Sequence, residues 1–217
     1  SAVFAAENTT AEMADASDVD GTTISFWHSM GGVNGEALDT LVKQFNEENE
    51  YGITVDAQYQ GEYDDSLNKL KSAQIGNMGA DLVQVYEIGT RFMIDSGWIV
   101  PMQEMIDGDG YDLSQIEPNL AAYYTIDNEL YSMPFNSSTP ILYYNKDMFE
   151  KAGITEVPDS LEGIGEIGQQ LLDNGGAGEA MSMGIYGWFF EQLISKQGLE
   201  YANNGNGRKE AANSSCL

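Results

Sequence analysis

The feature that most constrains the fold is a regular alternation of β-rich and amphipathic segments over residues 23–86. The β-rich runs are short, contain branched or aromatic residues, and are predicted to be strands at 23–27, 52–57 and 81–86. Between them lie two segments with apolar residues at helical spacing, the second over residues 62–75. Strand and helix in this order are typical of a parallel sheet with helical crossovers, so the chain is predicted to be α/β.

The remainder of the chain is less regular. We expect a helix over 114–124 capped by Ser114, strands over 130–134 and 141–145, and a helix that follows Pro158 and runs to about Leu172. The polar stretch 135–140 lies between two strand-like runs and is bounded by prolines, which suits a stiff crossover between two lobes.

The chain is strongly acidic, with nine Lys and Arg against 35 Asp and Glu, a net charge of −26. Such a surface repels phosphate backbones, so nucleic acid is not an expected partner. Apolar residues make up 42% of the sequence, which is enough for a packed core. Residues 1–21 are small and acidic and are predicted to form a flexible leader. Whether Val3–Ala5 marks a trimmed export signal or the segment is an ordinary acidic linker stays open.

Cysteine and histidine are too scarce for several kinds of chemistry. Cys216 and His28 are the only residues of their types, so an internal disulfide, a cysteine zinc site and a multi-histidine metal site are excluded. His28 is expected to be a structural hydrogen-bonding residue rather than a catalytic base. A calcium loop starting at Asp107 would need Gly and Glu where Asp112 and Pro118 stand, so an acidic surface loop is predicted there.

Three groups of polar or aromatic residues are candidates for ligand binding. Glu87 directly follows the third predicted strand, and open α/β sheets bind ligands outside the carboxyl ends of their strands. A carboxylate there can accept hydrogen bonds from hydroxyls, and Tyr63 can lie against the C–H face of a sugar. The alternative for Glu87 is a carboxylate favoured by a helix N-terminus. Ser137, Ser138 and Thr139 either reach a ligand or form local turns.

Five segments together resemble the extracellular solute-binding proteins (family 1) of bacterial ABC importers, with the strongest likeness to their sn-glycerol-3-phosphate-binding members. They are Phe26–Met30, Phe45–Asn49, Gln84–Thr90, Pro134–Pro140 and Leu142–Asp147. The resemblance implies a periplasmic-binding-protein-like (type II) clam-shell of two lobes, of which the chain is the N-terminal half. Residues 22–137 would form lobe 1 and residues 138–217 the truncated start of lobe 2.

The same resemblance implies a function and a set of binding residues. Tyr63, Glu87 and Ser138 match ligand-binding positions of the glycerol-3-phosphate binders, and Trp188 is a further aromatic candidate. The ligand would be glycerol 3-phosphate, a glycerophosphodiester or a sugar, which is delivered to ABC permease subunits outside the cell or in the periplasm. Leu161 stands where relatives commonly have Trp, which puts the ligand's identity in doubt.

The resemblance also implies an arginine for the phosphate. Arg91, Arg208 and Lys209 have no motif that supports this role. The chain is therefore expected to bind weakly or not at all by itself.

The resemblance implies no catalytic residue, cofactor or metal site, so the chain is expected not to be an enzyme. Two alternatives stay open, a glycoside hydrolase that uses two carboxylates and a sensor module on the same fold. If the chain is truncated, surface normally covered by the missing segments is exposed, and self-association is expected.

Overall fold

The structure is a computed structural model that describes residues 18–76, 78–184 and 187–216. Most of the predicted leader, residues 1–17, lies outside this part of the chain. The described residues divide into two units. Unit 1 falls within Ser1–Ser137 and Ala202–Ser214, and unit 2 within Ser138–Tyr201 and Ser215–Leu217. The boundaries of the leader and of the two lobes stay predictions.

Unit 1 is built on a parallel sheet of three strands. The strands are β1 (Thr23–His28), β2 (Thr54–Tyr59) and β3 (Leu82–Val83). β1 is central, in the order β2-β1-β3, with Thr23 opposite Thr54 and Phe26 opposite Leu82. This arrangement confirms the predicted α/β class, although β3 is shorter than the expected strand over 81–86.

Helices connect these strands and continue unit 1. They are α1 (Gly32–Glu48), α2 (Tyr63–Ile75), α3 (Thr90–Ser96), α4 (Met102–Asp109) and α5 (Pro118–Tyr123). An antiparallel hairpin of β4 (Thr125–Ile126) and β5 (Glu129–Leu130) follows. A short turn, Asn203–Asn206, with left-handed backbone at Asn204 and Gly205, also belongs to unit 1. The apolar core of unit 1 consists of Phe26, Leu38, Leu70, Met93, Ile106, Ile126 and Leu130.

Side-chain amides attach α1 to the edge strand β2. Asn46 Nδ2 donates to the Val55 carbonyl at 3.0 Å, and the Val55 N–H donates to Asn46 Oδ1 at 2.7 Å. Asn49, just after the helix, accepts from the Ile53 N–H at 3.0 Å and donates to the Phe45 carbonyl at 2.8 Å. An edge strand leaves backbone groups unpaired, and these two residues satisfy several of them.

The start of β3 is attached to β1 by one carboxylate. Asp81 accepts from the backbone N–H of Ser25 at 2.9 Å and from its hydroxyl at 2.7 Å. Because these hydrogen bonds favour the ionised form, they hold the pKa of Asp81 below its ordinary value.

Unit 2 is helical in the described residues. Its helices are α6 (Lys146–Ala152), α7 (Leu161–Gln170) and α8 (Gly187–Ser195), and α7 runs on into a π-helical turn over Leu171–Gly175. Asn145 and Ser160 cap α6 and α7, where their side chains accept from the N–H groups of Met148 and Gly163. Within the described ranges, no helix is both long and apolar enough to cross a membrane.

Three sequence predictions in the middle of the chain are wrong in whole or in part. Residues 141–145 form no strand, and their apolar side chains are exposed, 67% for Ile141 and 86% for Tyr143. A strand requires a neighbour for its backbone groups, and none of the described strands pairs with this run.

The second error concerns the predicted helix over 114–124. Its first half is a 3₁₀ turn, Leu113–Gln115, capped by Asp112 rather than by Ser114. The helix α5 begins only at Pro118, since a proline disfavours helical backbone in the preceding residue. The strand expected over 130–134 is likewise limited to Leu130, the last residue of β5.

Candidate functional site

The candidate site lies at the carboxyl edge of the sheet in unit 1. β1 ends at His28, β2 leads through Gly61 to Tyr63, and β3 leads to Gln84 and Glu87. Because the strands are parallel, these segments all leave the sheet at the same edge. The structure therefore brings two of the predicted binding residues, Tyr63 and Glu87, to one edge.

Tyr63 begins α2 and is held against a second tyrosine. Gly61 has a φ of +96°, in the left-handed region that favours glycine, and so allows the turn from β2 into the helix. The rings of Tyr63 and Tyr86 stack with centroids 5.4 Å apart and planes 10° from parallel. Tyr86 in turn donates its hydroxyl proton to the carboxylate of Asp64. This stack limits the positions that the Tyr63 ring can adopt and forms a flat aromatic surface.

Glu87 opens a 3₁₀ turn, Glu87–Gly89, that leads into α3, and its side chain is half-buried. Both predicted residues act electrostatically on Tyr124. Burial raises the pKa of the Tyr124 phenol, and the charges of Glu87 and Tyr63 raise it further. Glu87 and Tyr63 therefore both lie within electrostatic reach of Tyr124, which joins the candidate site.

A chain of hydrogen bonds connects the segments that meet at this edge. Gln84, 8% exposed, accepts from the Ser29 backbone N–H at 2.9 Å and donates to Asn136 Oδ1 at 2.9 Å. Asn136 Nδ2 donates to the Tyr63 hydroxyl at 3.3 Å. Gln84, Asn136 and Tyr124 were not among the residues predicted to form a site. Gln84 and Asn136 do lie inside two of the family-like segments, whereas no sequence signal pointed to Tyr124.

His28 also reaches this edge. Its side chain is 3% exposed, and its Nδ1 accepts from the Met30 N–H at 3.2 Å. Burial lowers the pKa of His28, and the carboxylate of Asp39 partly opposes that effect. An imidazole that accepts at Nδ1 is neutral, so His28 has the structural hydrogen-bonding role that the sequence predicts.

The other two predicted binding residues belong to unit 2. Ser138 is exposed, in a segment without regular structure. Trp188 is half-buried in the first turn of α8, with its ring centroid 5.6 Å from that of Phe189. The roles of all four predicted binding residues stay predictions.

The arginines of unit 1 bind other protein groups. Arg91 donates to the Asp95 carboxylate at 2.9 Å and to the Arg208 carbonyl at 3.0 Å. Arg208 donates to the carbonyls of Tyr123, at 2.8 Å, and Thr125, at 3.2 Å. These contacts attach Ala202–Ser214 to the rest of unit 1, and they occupy side chains that could otherwise neutralise a phosphate. Among the described residues, no group of three or more metal-binding side chains is present.

The parallel sheet with its polar carboxyl edge makes unit 1 an α/β structure, and the solved structures that the chain matches are periplasmic binding proteins. The chain belongs to the bacterial extracellular solute-binding protein family, whose model matches residues 31–215. This confirms the resemblance seen in the sequence and the expected extracellular or periplasmic class. The family is one of solute-binding proteins, which also confirms that the chain belongs to a non-enzymatic class.

Curated relatives include the sn-glycerol-3-phosphate-binding periplasmic proteins UgpB of Salmonella typhimurium and Escherichia coli K12. Each is 38% identical over 195 residues, which cover 86% of this chain and 44% of the relative. The chain therefore spans less than half the length of these relatives.

Solved structures agree on the fold. UgpB from Mycobacterium tuberculosis, in complex with glycerophosphocholine, matches with a TM-score of 0.63 and 27% identity over 69% of this chain and 38% of its own. An ABC substrate-binding protein from Listeria monocytogenes, in complex with cycloalternan, matches with a TM-score of 0.64 over 85% of this chain and 47% of its own. At 20% identity, the second match shows the fold alone.

Proposed function

We propose that the chain acts in the solute-binding component of an ABC importer and that the carboxyl edge of unit 1 binds the hydroxyl groups of the solute. The observation that carries this proposal is the stacked pair of Tyr63 and Tyr86 on the same sheet edge as Glu87. The solute is glycerol 3-phosphate, a glycerophosphodiester or a sugar. The names of the curated relatives support the first, and the complex of the Mycobacterium tuberculosis structure with glycerophosphocholine supports the second.

The chemistry of the edge suits hydroxylated molecules. An ionised Glu87 accepts hydrogen bonds from one or two hydroxyls, and bonds to a charged group are about twice as strong as neutral ones. The Tyr63 ring offers an apolar surface for C–H groups while its oxygen stays available for hydrogen bonding. Recognition of this kind forms and breaks no covalent bond, as transport requires.

Ser138 and Trp188 are the proposed contributions of unit 2. In this proposal the two lobes close on the solute by a hinge motion, and the closed form is presented to the permease subunits. A phosphate-bearing solute also needs a cation. Since Arg91 and Arg208 are engaged within unit 1, we do not expect either arginine to supply it.

Isothermal titration calorimetry tests the proposal with three probes, glycerol 3-phosphate, glycerophosphocholine and maltotriose. Loss of a hydrogen bond to a charged group costs about 1.5–3 kcal/mol, so Glu87→Gln should weaken binding of the active probe roughly tenfold to a hundredfold. The control is Glu36→Gln, which removes the same charge from an exposed position of α1. Absence of heat with all three probes in the complete gene product, or equal affinity in its Glu87→Gln variant, would refute the proposal.

A further inference from the structure

A hydrogen-bonded relay runs from the buried end of β1 to the hydroxyl of Tyr63. It starts at the Ser29 backbone N–H, passes through the side chains of Gln84 and Asn136, and ends at Tyr63 Oη. Ser29 and Gln84 are buried, whereas Asn136 is exposed and Tyr63 is half-buried. All four residues belong to unit 1.

The first member of the relay sets the direction of every later hydrogen bond. A backbone N–H can only donate, so the Gln84 oxygen must face Ser29 and its NH₂ group must face Asn136. That NH₂ group can only donate, so Asn136 presents its oxygen to Gln84 and its own NH₂ to Tyr63. The Tyr63 oxygen therefore accepts from Asn136, and its proton is left to point elsewhere.

Because Gln84 is buried, the opposite orientation of its amide is energetically unfavourable. Reversing its amide would place an NH₂ group against the Ser29 N–H and leave both donors unsatisfied, at a cost of about 1–3 kcal/mol for each buried group. In the described part of the chain, Tyr63 makes no second hydrogen bond that would take up its proton.

We propose that Gln84 and Asn136 are positioning residues that make the Tyr63 hydroxyl a hydrogen-bond donor toward the ligand. Given the proposed function, the site accepts a solute that places an acceptor oxygen beside Tyr63. Phosphate, hydroxyl and ring oxygens all satisfy this requirement, whereas an ammonium group does not. Neither positioning residue touches the solute, and both act through the direction of the Tyr63 hydrogen bond.

Two nearly isosteric substitutions reverse that direction. Asn136→Asp replaces the NH₂ group that faces Tyr63 by a carboxylate oxygen, so the phenol must donate to it. Gln84→Glu also makes the Tyr63 phenol the donor, but indirectly, through Asn136. Its ionised carboxylate still accepts from Ser29, but it also accepts from Asn136, whose amide must turn and present its oxygen to Tyr63.

The first test needs no ligand. ¹³C NMR of the full chain labelled at the tyrosine Cζ, at pH 8, reports whether each phenol hydroxyl donates or accepts a hydrogen bond, and Tyr63→Phe assigns the Tyr63 signal. Both variants should displace that signal in the same direction, while Asn68→Asp, which adds a charge on the exposed face of α2, should leave it in place. An unmoved Tyr63 signal in folded Gln84→Glu, which does not alter the residue that contacts Tyr63, would overturn the proposal.

The second test uses the calorimetric probes named above. Each variant should weaken binding about fivefold to tenfold, the effect of one lost neutral hydrogen bond. Neither should weaken it further in a Tyr63→Phe background, because the effect passes through that hydroxyl. Losses that persist in that background would overturn the proposal. If no probe binds the wild-type complete gene product, the proposed function fails, and the ¹³C measurement alone decides the relay.

Discussion

Lowering the pH should destabilise the fold through His28, the last residue of the central strand. The side chain is 3% exposed and accepts the Met30 N–H at Nδ1, and burial lowers its pKa below the ordinary value of 6.5. A protonated imidazole would lose that acceptor and place a charge in the core. In the native state His28 therefore takes up its proton only at a lower pH than in the unfolded chain, where it does so near pH 6.5.

The sign and limit of the effect follow from linkage. Between the two pKa values the unfolded state binds more protons, so the free energy of unfolding rises with pH there. The contribution of His28 is complete above about pH 6.5, decreases as the pH falls below that value, and stops decreasing below the pKa of the folded state. At pH 5.5 the loss is at most about 1.4 kcal/mol, which lowers Tm by roughly 3–6 °C in a chain of this size.

Urea denaturation at pH 7.5 and pH 5.5 measures this loss. The matched variant is His28→Asn, whose side-chain oxygen can replace Nδ1 as the acceptor but does not titrate. Other groups affect both proteins alike, and the sequence contains no second histidine. The free energy of unfolding of the wild type minus that of His28→Asn should therefore be lower at pH 5.5 than at pH 7.5. If this difference were the same at both pH values, or higher at pH 5.5, the assignment of a buried neutral imidazole would be refuted.

Two further predictions concern the core and the exposed surface. Leu70→Ala removes a side chain that is 1% exposed and should lower the free energy of unfolding by about 2–5 kcal/mol in urea, while Val33→Ala at an exposed position should change it by less than about 0.5 kcal/mol. Equal losses would contradict the position of Leu70 in the core. We also expect exposed apolar residues at 141–144 to drive self-association, so Ile141→Asp should lower the mass measured by light scattering more than Leu199→Asp does. Equal effects of these two changes would contradict a role for that segment.

Local patterns predicted the first half of unit 1. The second predicted helix, 62–75, corresponds to α2 at Tyr63–Ile75, and the first two strands lie within two residues of their expected bounds. These elements carry their own apolar periodicity and are bounded by turn residues, so neighbouring sequence is enough to recognise them.

Prediction failed where structure depends on distant partners. Residues 141–145 have the composition of a strand, but composition cannot supply the neighbouring strand that would pair with them. The same run also contains the start of a helix that was not predicted. Asn145, the last residue of the predicted strand, caps α6 with its side chain.

The residues of the candidate site were likewise only partly predictable from the sequence. The position of Glu87 after a strand placed it at the carboxyl edge from sequence alone, Tyr63 was a candidate because of its aromatic ring, and the family resemblance supported both. Tyr124 and Asn136 come to this edge from other parts of the chain, and the contact between Asn136 and Tyr63 spans 73 residues. Their place in the site follows from tertiary structure, which no local pattern encodes.

The most direct test of solute binding at the carboxyl edge is a two-dimensional ¹H–¹⁵N NMR titration of the chain with glycerol 3-phosphate, glycerophosphocholine or maltotriose. We predict saturable shifts at the backbone amides of Gly61–Tyr63 and Glu87–Gly89 with at least one of them, and loss of these shifts in Glu87→Gln. Spectra that do not change with any of the three, or changes that leave both segments unaffected, would contradict binding at this edge.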